Sequence, residues 1–329
     1  MNTQIPPGKA RFIYFLNQVQ SILRKAEESQ SPALLIYKEN IRTPFFMLEA
    51  LTRLYKKMQD KKKFKKLSVC FKEIEDLLGA INFYDAFHKE FLTCKNMPSP
   101  VTDYLKNKMD EKIKALNHLL KKEKWIGEKN KRVEKILKKL DKIDWPDEEE
   151  DAKELLDIYR YYIHKIGQNY QSNLTFKDIE TDVHELRREL RWLSIYPQAL
   201  RGLIQFKEDN GSQDFLNKYL TPEIVNSPYN VMPDGSALQY HILINKNYFY
   251  ALSWMIDALG TLKDSGLTVM ALEESLGSVY HITSGTEQLV YSICGDTQMK
   301  IPEILTRSQQ IAKTFFDENI LENLISDSE

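Results

Sequence analysis

The chain is predicted to be all-α, two pseudo-symmetric helical bundles made of duplicated four-helix-bundle-like units. Apolar residues recur at i, i+3, i+4 and i+7 over most of its length, the spacing of a helix with one buried face. An internal segment occurs twice. Strand-like alternation is confined to Ser278–Thr283, which is ambiguous and too short to change the class. At 329 residues the chain exceeds the usual single core, so two units are expected. The first bundle is placed at 1–145, an acidic linker at 146–151, and the second bundle at 152–329 with an irregular insertion at about 207–240.

The elements follow in order. Phe12, Phe15, Leu16, Val19, Ile22 and Leu23 make a first amphipathic helix that ends before Ser29. Ser31-Pro32 opens a second, as a capping residue followed by proline, which runs to about Met58 with a kink near Asn40–Pro44. The lysine run Lys61–Lys66 reads as a solvated basic turn into a helix bearing Leu67, Phe71, Ile74, Leu78 and Ile81. From Asp103 to Lys142 the pattern is helical and rich in lysine, with Gly127 dividing two helices; the excess lysine solubilises the surface or forms a basic wall. Trp145–Asp151 is an acidic break before a helix at about 152–168. Thr175, with Asp178 three residues on, resembles a capping-box start to a helix that continues past Pro197 to about Phe206. Periodicity fails from Lys207 to Gln239, apart from one short helix at Phe215–Tyr219, and returns from Ile244 to Leu262. Helices at about 286–292 and 301–324 complete the chain.

Lys+Arg of 46 against Asp+Glu of 47 gives a net charge of −1, so any anion site must arise from local clustering. That balance argues against a generic or sequence-specific nucleic-acid binder. Cys70, Cys94 and Cys294 lie far apart without metal-ligand spacing and read as reduced thiols of a cytoplasmic protein. No stretch has the apolar run of a signal peptide or a membrane span.

The candidate site lies on Asp182–Leu193. At about 100° per residue, His184, Arg187, Arg188 and Arg191 share one face, Val183, Leu186, Leu190 and Leu193 form an apolar stripe, and Asp182, Glu185 and Glu189 fall on the far side. Clustering like charge costs energy unless an anion offsets it, whereas a purely solvated helix mixes its charges.

Glu75-Asp76-Leu77-Leu78-Gly79-Ala80-Ile81-Asn82 aligns with Ile256-Asp257-Ala258-Leu259-Gly260-Thr261-Leu262-Lys263, each downstream of an Ile/Leu-Arg step at Arg42 or Arg187. On these residues the chain resembles the CHAD family, the conserved histidine α-helical domain. His184, Arg187 and Arg191 match its basic helix, and Leu259-Gly260-Thr261-Leu262-Lys263-Asp264 matches the helix that follows; Trp192 and Ser194 replace two basic positions. In the first copy Arg42 is kept, but Glu39 stands for the histidine, Phe46, Met47 and Glu49 replace basic positions, and Phe83 replaces the aspartate. The resemblance implies two pseudo-symmetric four-helix bundles that bind inorganic polyphosphate.

The expected function is therefore non-catalytic binding of polyphosphate or a related phosphate-rich polyanion by His184, Arg187, Arg188 and Arg191, with Arg42 contributing. Arginine's planar fork bonds phosphate oxygens in pairs. The competing reading is a protein-interaction scaffold that has lost polyanion binding, with these cations engaged by Glu49, Asp76, Asp257 or Asp264. No metal or cofactor is expected, and no enzyme, since the chain lacks a phosphate loop, a His-Glu-x-x-His and a Gly-x-Ser-x-Gly. Tyr159, Tyr161 and Tyr162, at helical spacing, read as core and groove aromatics.

Overall fold

The computed structural model describes residues 5–59, 61–127, 131–207, 213–282, 286–295 and 298–325. The protein is predominantly helical: α1 (Pro7–Glu27), α2 (Pro32–Lys38), α3 (Arg42–Met58), α4 (Lys61–Leu92), α5 (Ser99–Lys122), α6 (Lys131–Leu140), α7 (Glu148–Ser172), α8 (Glu185–Ala199), α9 (Pro222–Val225), α10 (Lys246–Tyr280), α11 (Thr286–Cys294) and α12 (Ile301–Asp317). A parallel pair of short strands, β1 (Ile204–Lys207) and β2 (Ile242–Asn245), sets Ile204 opposite Ile242. Among the described residues no helix is long and apolar enough to cross a membrane.

The chain divides into two compact units, Met1–Trp145 with Leu267–Gln298, and Pro146–Gly266 with Met299–Glu329. The sequence places all of 152–329, with its irregular insertion at about 207–240, in the second bundle, but 267–298 belong with the first unit. Helix α10 runs on through Gly266 and Gly277 to Tyr280, and its second half bonds to the first unit, where Tyr84 and Tyr104 donate to Glu274 Oε1 at 3.2 and 2.9 Å and Thr268 donates to Glu90 Oε1 at 3.2 Å. Ser278–Tyr280 are therefore helical and not strand-like, and Thr283 lies outside the described residues.

In the first unit, Phe12, Tyr55, Phe64 and Trp145 form an aromatic cluster, with Tyr55 and Trp145 edge-to-face at 5.2 Å. Trp145 donates its indole N–H to the Leu140 carbonyl at 2.9 Å. Gly8 permits this seat, since a Cβ there would meet the Trp145 ring at 2.6 Å. The expected kink at Asn40–Pro44 is a full break: Asn40 takes φ 52° and donates its side-chain amide to Thr43 Oγ1 at 3.0 Å, separating α2 from α3. Asparagine tolerates the left-handed region that most residues avoid. Lys61–Lys66 is no turn but the start of α4, held by buried Phe64, because lysine is a good helix former and its charges can stay in water.

In the second unit the acidic run is the first turn of α7. Asp147 caps it by accepting from Glu150 N at 3.0 Å, and Glu148–Asp151 follow. Carboxylates are stabilised at the positive end of a helix, so no linker forms. Pro197 lies inside α8 and leaves the carbonyl four residues earlier without its helical donor. That carbonyl, Leu193 O, instead accepts from buried Tyr159 Oη at 2.9 Å. The expected extension of α8 to Phe206 fails at Arg201 and Gly202, with φ of 50° and 93°, after which the chain enters β1. The Gly202 backbone sits so close to Asp234 and Gly235 that a Cβ would lie 2.3 Å from Asp234 O.

Candidate functional site

The candidate helix begins with a π turn, Ile179–His184, and becomes α-helical at Glu185. Its cap is Asp178 and not Thr175. Asp178 Oδ1 accepts from Thr181 N at 2.8 Å, while Asp182 Oδ2 accepts from the N–H groups of Lys177 and Asp178 at 2.6 and 2.9 Å and Oδ1 from Asn173 at 2.8 Å. Burial acts to raise the Asp182 pKa, and these donors outweigh it, leaving the carboxyl below its usual range.

Uniform α-helical geometry does not hold through His184, and the charges are not segregated as expected. His184 Nδ1 lies 2.7 Å from Glu180 Oε2, four residues back on the π turn. Arg188 Nη2 donates to Glu185 Oε1 at 2.7 Å. Both contacts are exposed and at ordinary helical spacing, so each contributes about 0.2–0.5 kcal/mol. Glu189 alone among the local acids turns to another helix, accepting from Asn169 of α7 at 3.0 and 3.2 Å. Arg191 is half-buried one turn beyond Arg187.

Arg187 is built differently. Its side chain lies flat on α10 at Gly260, where an added Cβ would be 2.9 Å from Nε and 3.1 Å from Nη2. Nε donates to the Ile256 carbonyl at 3.0 Å. The terminal nitrogens donate no hydrogen bond and join no ion pair among the described residues, yet they are not sealed from solvent. Burial pushes the guanidinium below its ordinary pKa, and the carboxylates of Asp264 and Asp257 oppose that shift from a distance. Asp264 itself pairs with Lys263 at 2.6 Å.

The first unit contains a closely similar pair with a different outcome. Arg42 lies on α4 at Gly79, whose added Cβ would meet Arg42 Nη2 at 3.0 Å. Here Nε and Nη2 both donate to Glu75 Oε1, at 2.9 and 2.7 Å, and the guanidinium also covers the Phe46 ring at 4.9 Å. Glu75 is four residues before Gly79, the place that Ile256 holds before Gly260. Burial, with Glu75 adding to it, pushes the nearby Glu49 carboxyl up. The carboxylate on Arg42 is thus Glu75, and not the expected Glu49 or Asp76. Its signal was present in the alignment, where Glu75 faces an isoleucine.

Tyr159 is buried, Tyr162 packs at 5.7 Å from Tyr196, and Tyr161 is exposed with its edge to Tyr162. Among the described residues no three His, Cys, Asp or Glu side chains are grouped to hold a metal. Comparisons of the chain with models of known families, with curated proteins and with solved structures find no match.

Proposed function

We propose that the protein is a non-catalytic helical module that binds inorganic polyphosphate or a related phosphate-rich polyanion on α8 of its second unit. Arg187 is the anchor, Arg191 and Arg188 flank it, and His184 lies at the end of the face. The observation that carries this reading is the Arg187 guanidinium: Gly260 and the Ile256 carbonyl fix its plane while its terminal nitrogens have no acceptor among the described residues. A partly buried cation without a direct counter-charge is costly. An anionic oxygen arriving there gains charge-assisted bonds worth about 1.5–3 kcal/mol each. The resemblance to CHAD domains is strongest at these same residues and supports the reading, as does a repeat that would place Arg42 on Gly79 as it places Arg187 on Gly260. A cytoplasmic setting, with all three cysteines as free thiols, belongs to it too.

The scaffold reading draws on the contacts of Arg42, Arg188 and His184 with Glu75, Glu185 and Glu180. Titration of the full chain with long-chain polyphosphate at low and moderate salt separates the two. Micromolar binding that weakens as salt rises, and drops at least about tenfold in Arg187→Ala/Arg191→Ala, supports the module. Equal binding by the double variant removes α8 from the site and leaves the scaffold.

A further inference from the structure

The first unit carries a second, separate concentration of positive charge. An open cleft of about 460 Å³ lies where the end of α5 meets α6, within the range of small-molecule pockets. Lys124, Lys131, Arg132, Lys135 and Lys138 line it, against the carboxylates of Glu123 and Glu134. Helix α6 buries Val133, Ile136 and Leu140 on one side, which leaves Lys131, Lys135 and Lys138 at i, i+4 and i+7 on another.

The wall is held in place. Arg132 Nη1 pairs with Glu123 at 3.0 Å, Nε and Nη2 lie 3.3 and 3.2 Å from the Cys70 sulfur, and the guanidinium sits 5.9 Å from the Trp125 ring centre. Arg132 N donates to Lys124 O at 3.0 Å and ties the two ends of the cleft together. Glu123 thus braces this wall through its pair with Arg132. Lys135 and Lys138 make no hydrogen bond or ion pair among the described residues. Exposed lysine on a convex helix is merely solvated; in a concave site like charges focus the field on whatever enters.

We infer that this cleft binds a compact, multiply phosphorylated small molecule that carries no base. The lining is entirely charged, and Trp125 is buried beneath Arg132, so no aromatic face is offered for a nucleobase to stack on. The inference is independent of Arg187, which lies in the other unit.

The test is calorimetric titration of the full chain at about 150 mM salt with inositol hexakisphosphate, inorganic triphosphate, ATP and sulfate. The expected results are binding of inositol hexakisphosphate well above sulfate, ATP no tighter than triphosphate, and a loss of at least about tenfold in Lys135→Glu/Lys138→Glu, with Lys165→Glu, at an exposed position of α7 outside both sites, within about twofold of wild type. If the charge-reversed protein fails to fold, Lys135→Ser/Lys138→Ser at the same exposed positions is read instead. Unchanged affinity in the lysine variant, binding no stronger than sulfate, or ATP much tighter than triphosphate overturns the inference. A loss in Arg187→Gln alone overturns it too while leaving the polyphosphate reading intact.

Discussion

At Arg42 and Arg187 the same residue on the same kind of glycine is neutralised in one unit and left open in the other, and the neighbour four residues before the glycine decides which. Glu75 occupies Arg42 through a shared oxygen, whereas Ile256 offers Arg187 only its backbone carbonyl. Glu75→Ile should therefore release Arg42 and raise polyphosphate affinity several-fold, read by titration against wild type; no gain would show that Arg42 cannot reach an anion even when freed. Gly260→Ala should do the reverse. Alanine favours the helix by about 1 kcal/mol, so the melting temperature should hold, while the new methyl crowds the guanidinium and polyphosphate affinity falls. A stable variant with undiminished affinity would mean that the arginine plane is not what presents the donors.

At the scale of elements, Tyr159 and Asp182 hold the candidate helix at its two ends. Tyr159→Phe leaves the buried Leu193 carbonyl, already deprived of its donor by Pro197, without a partner; about 1–3 kcal/mol of stability should be lost, measured by urea unfolding. The Asp182 carboxyl has a folded-state pKa below its usual value. Its stabilisation is therefore complete above the unfolded value of about 4 and is lost as pH falls through the folded one. Asp182→Asn should lower the unfolding free energy at neutral pH, with the gap to wild type closing in acid; a gap that stays constant with pH would exclude the carboxylate's charge as the cause. The long helices were legible in the sequence because their apolar spacing survives everything around them. What was not legible depends on backbone conformation and long-range pairing, which apolar spacing does not encode: the left-handed Asn40 that splits α2 from α3, the π turn before α8, and the short strands β1 and β2, which pair after the chain turns at Gly202.

For the whole molecule, a net charge of −1 means that affinity for a polyanion must come from local geometry. The candidate cations could be named from helical spacing, since that depends only on the chain's own residues. Their carboxylate partners could not: Glu185, which an ideal helical wheel puts on the far side, and Glu180, on the π turn, each reach back about one turn, and Glu75, 33 residues from Arg42, needed the fold. Binding confined to a few arginines should also show a shallow salt slope, below that of a protein with many phosphate contacts. The central claim is that Arg187 is available to an anion and Arg42 is not. Polyphosphate affinity of wild type, Arg187→Gln and Arg42→Gln at moderate salt tests it most directly. The account predicts a loss of about tenfold or more for Arg187→Gln and less than about twofold for Arg42→Gln; equal affinities in all three, or the larger loss in Arg42→Gln, would contradict it.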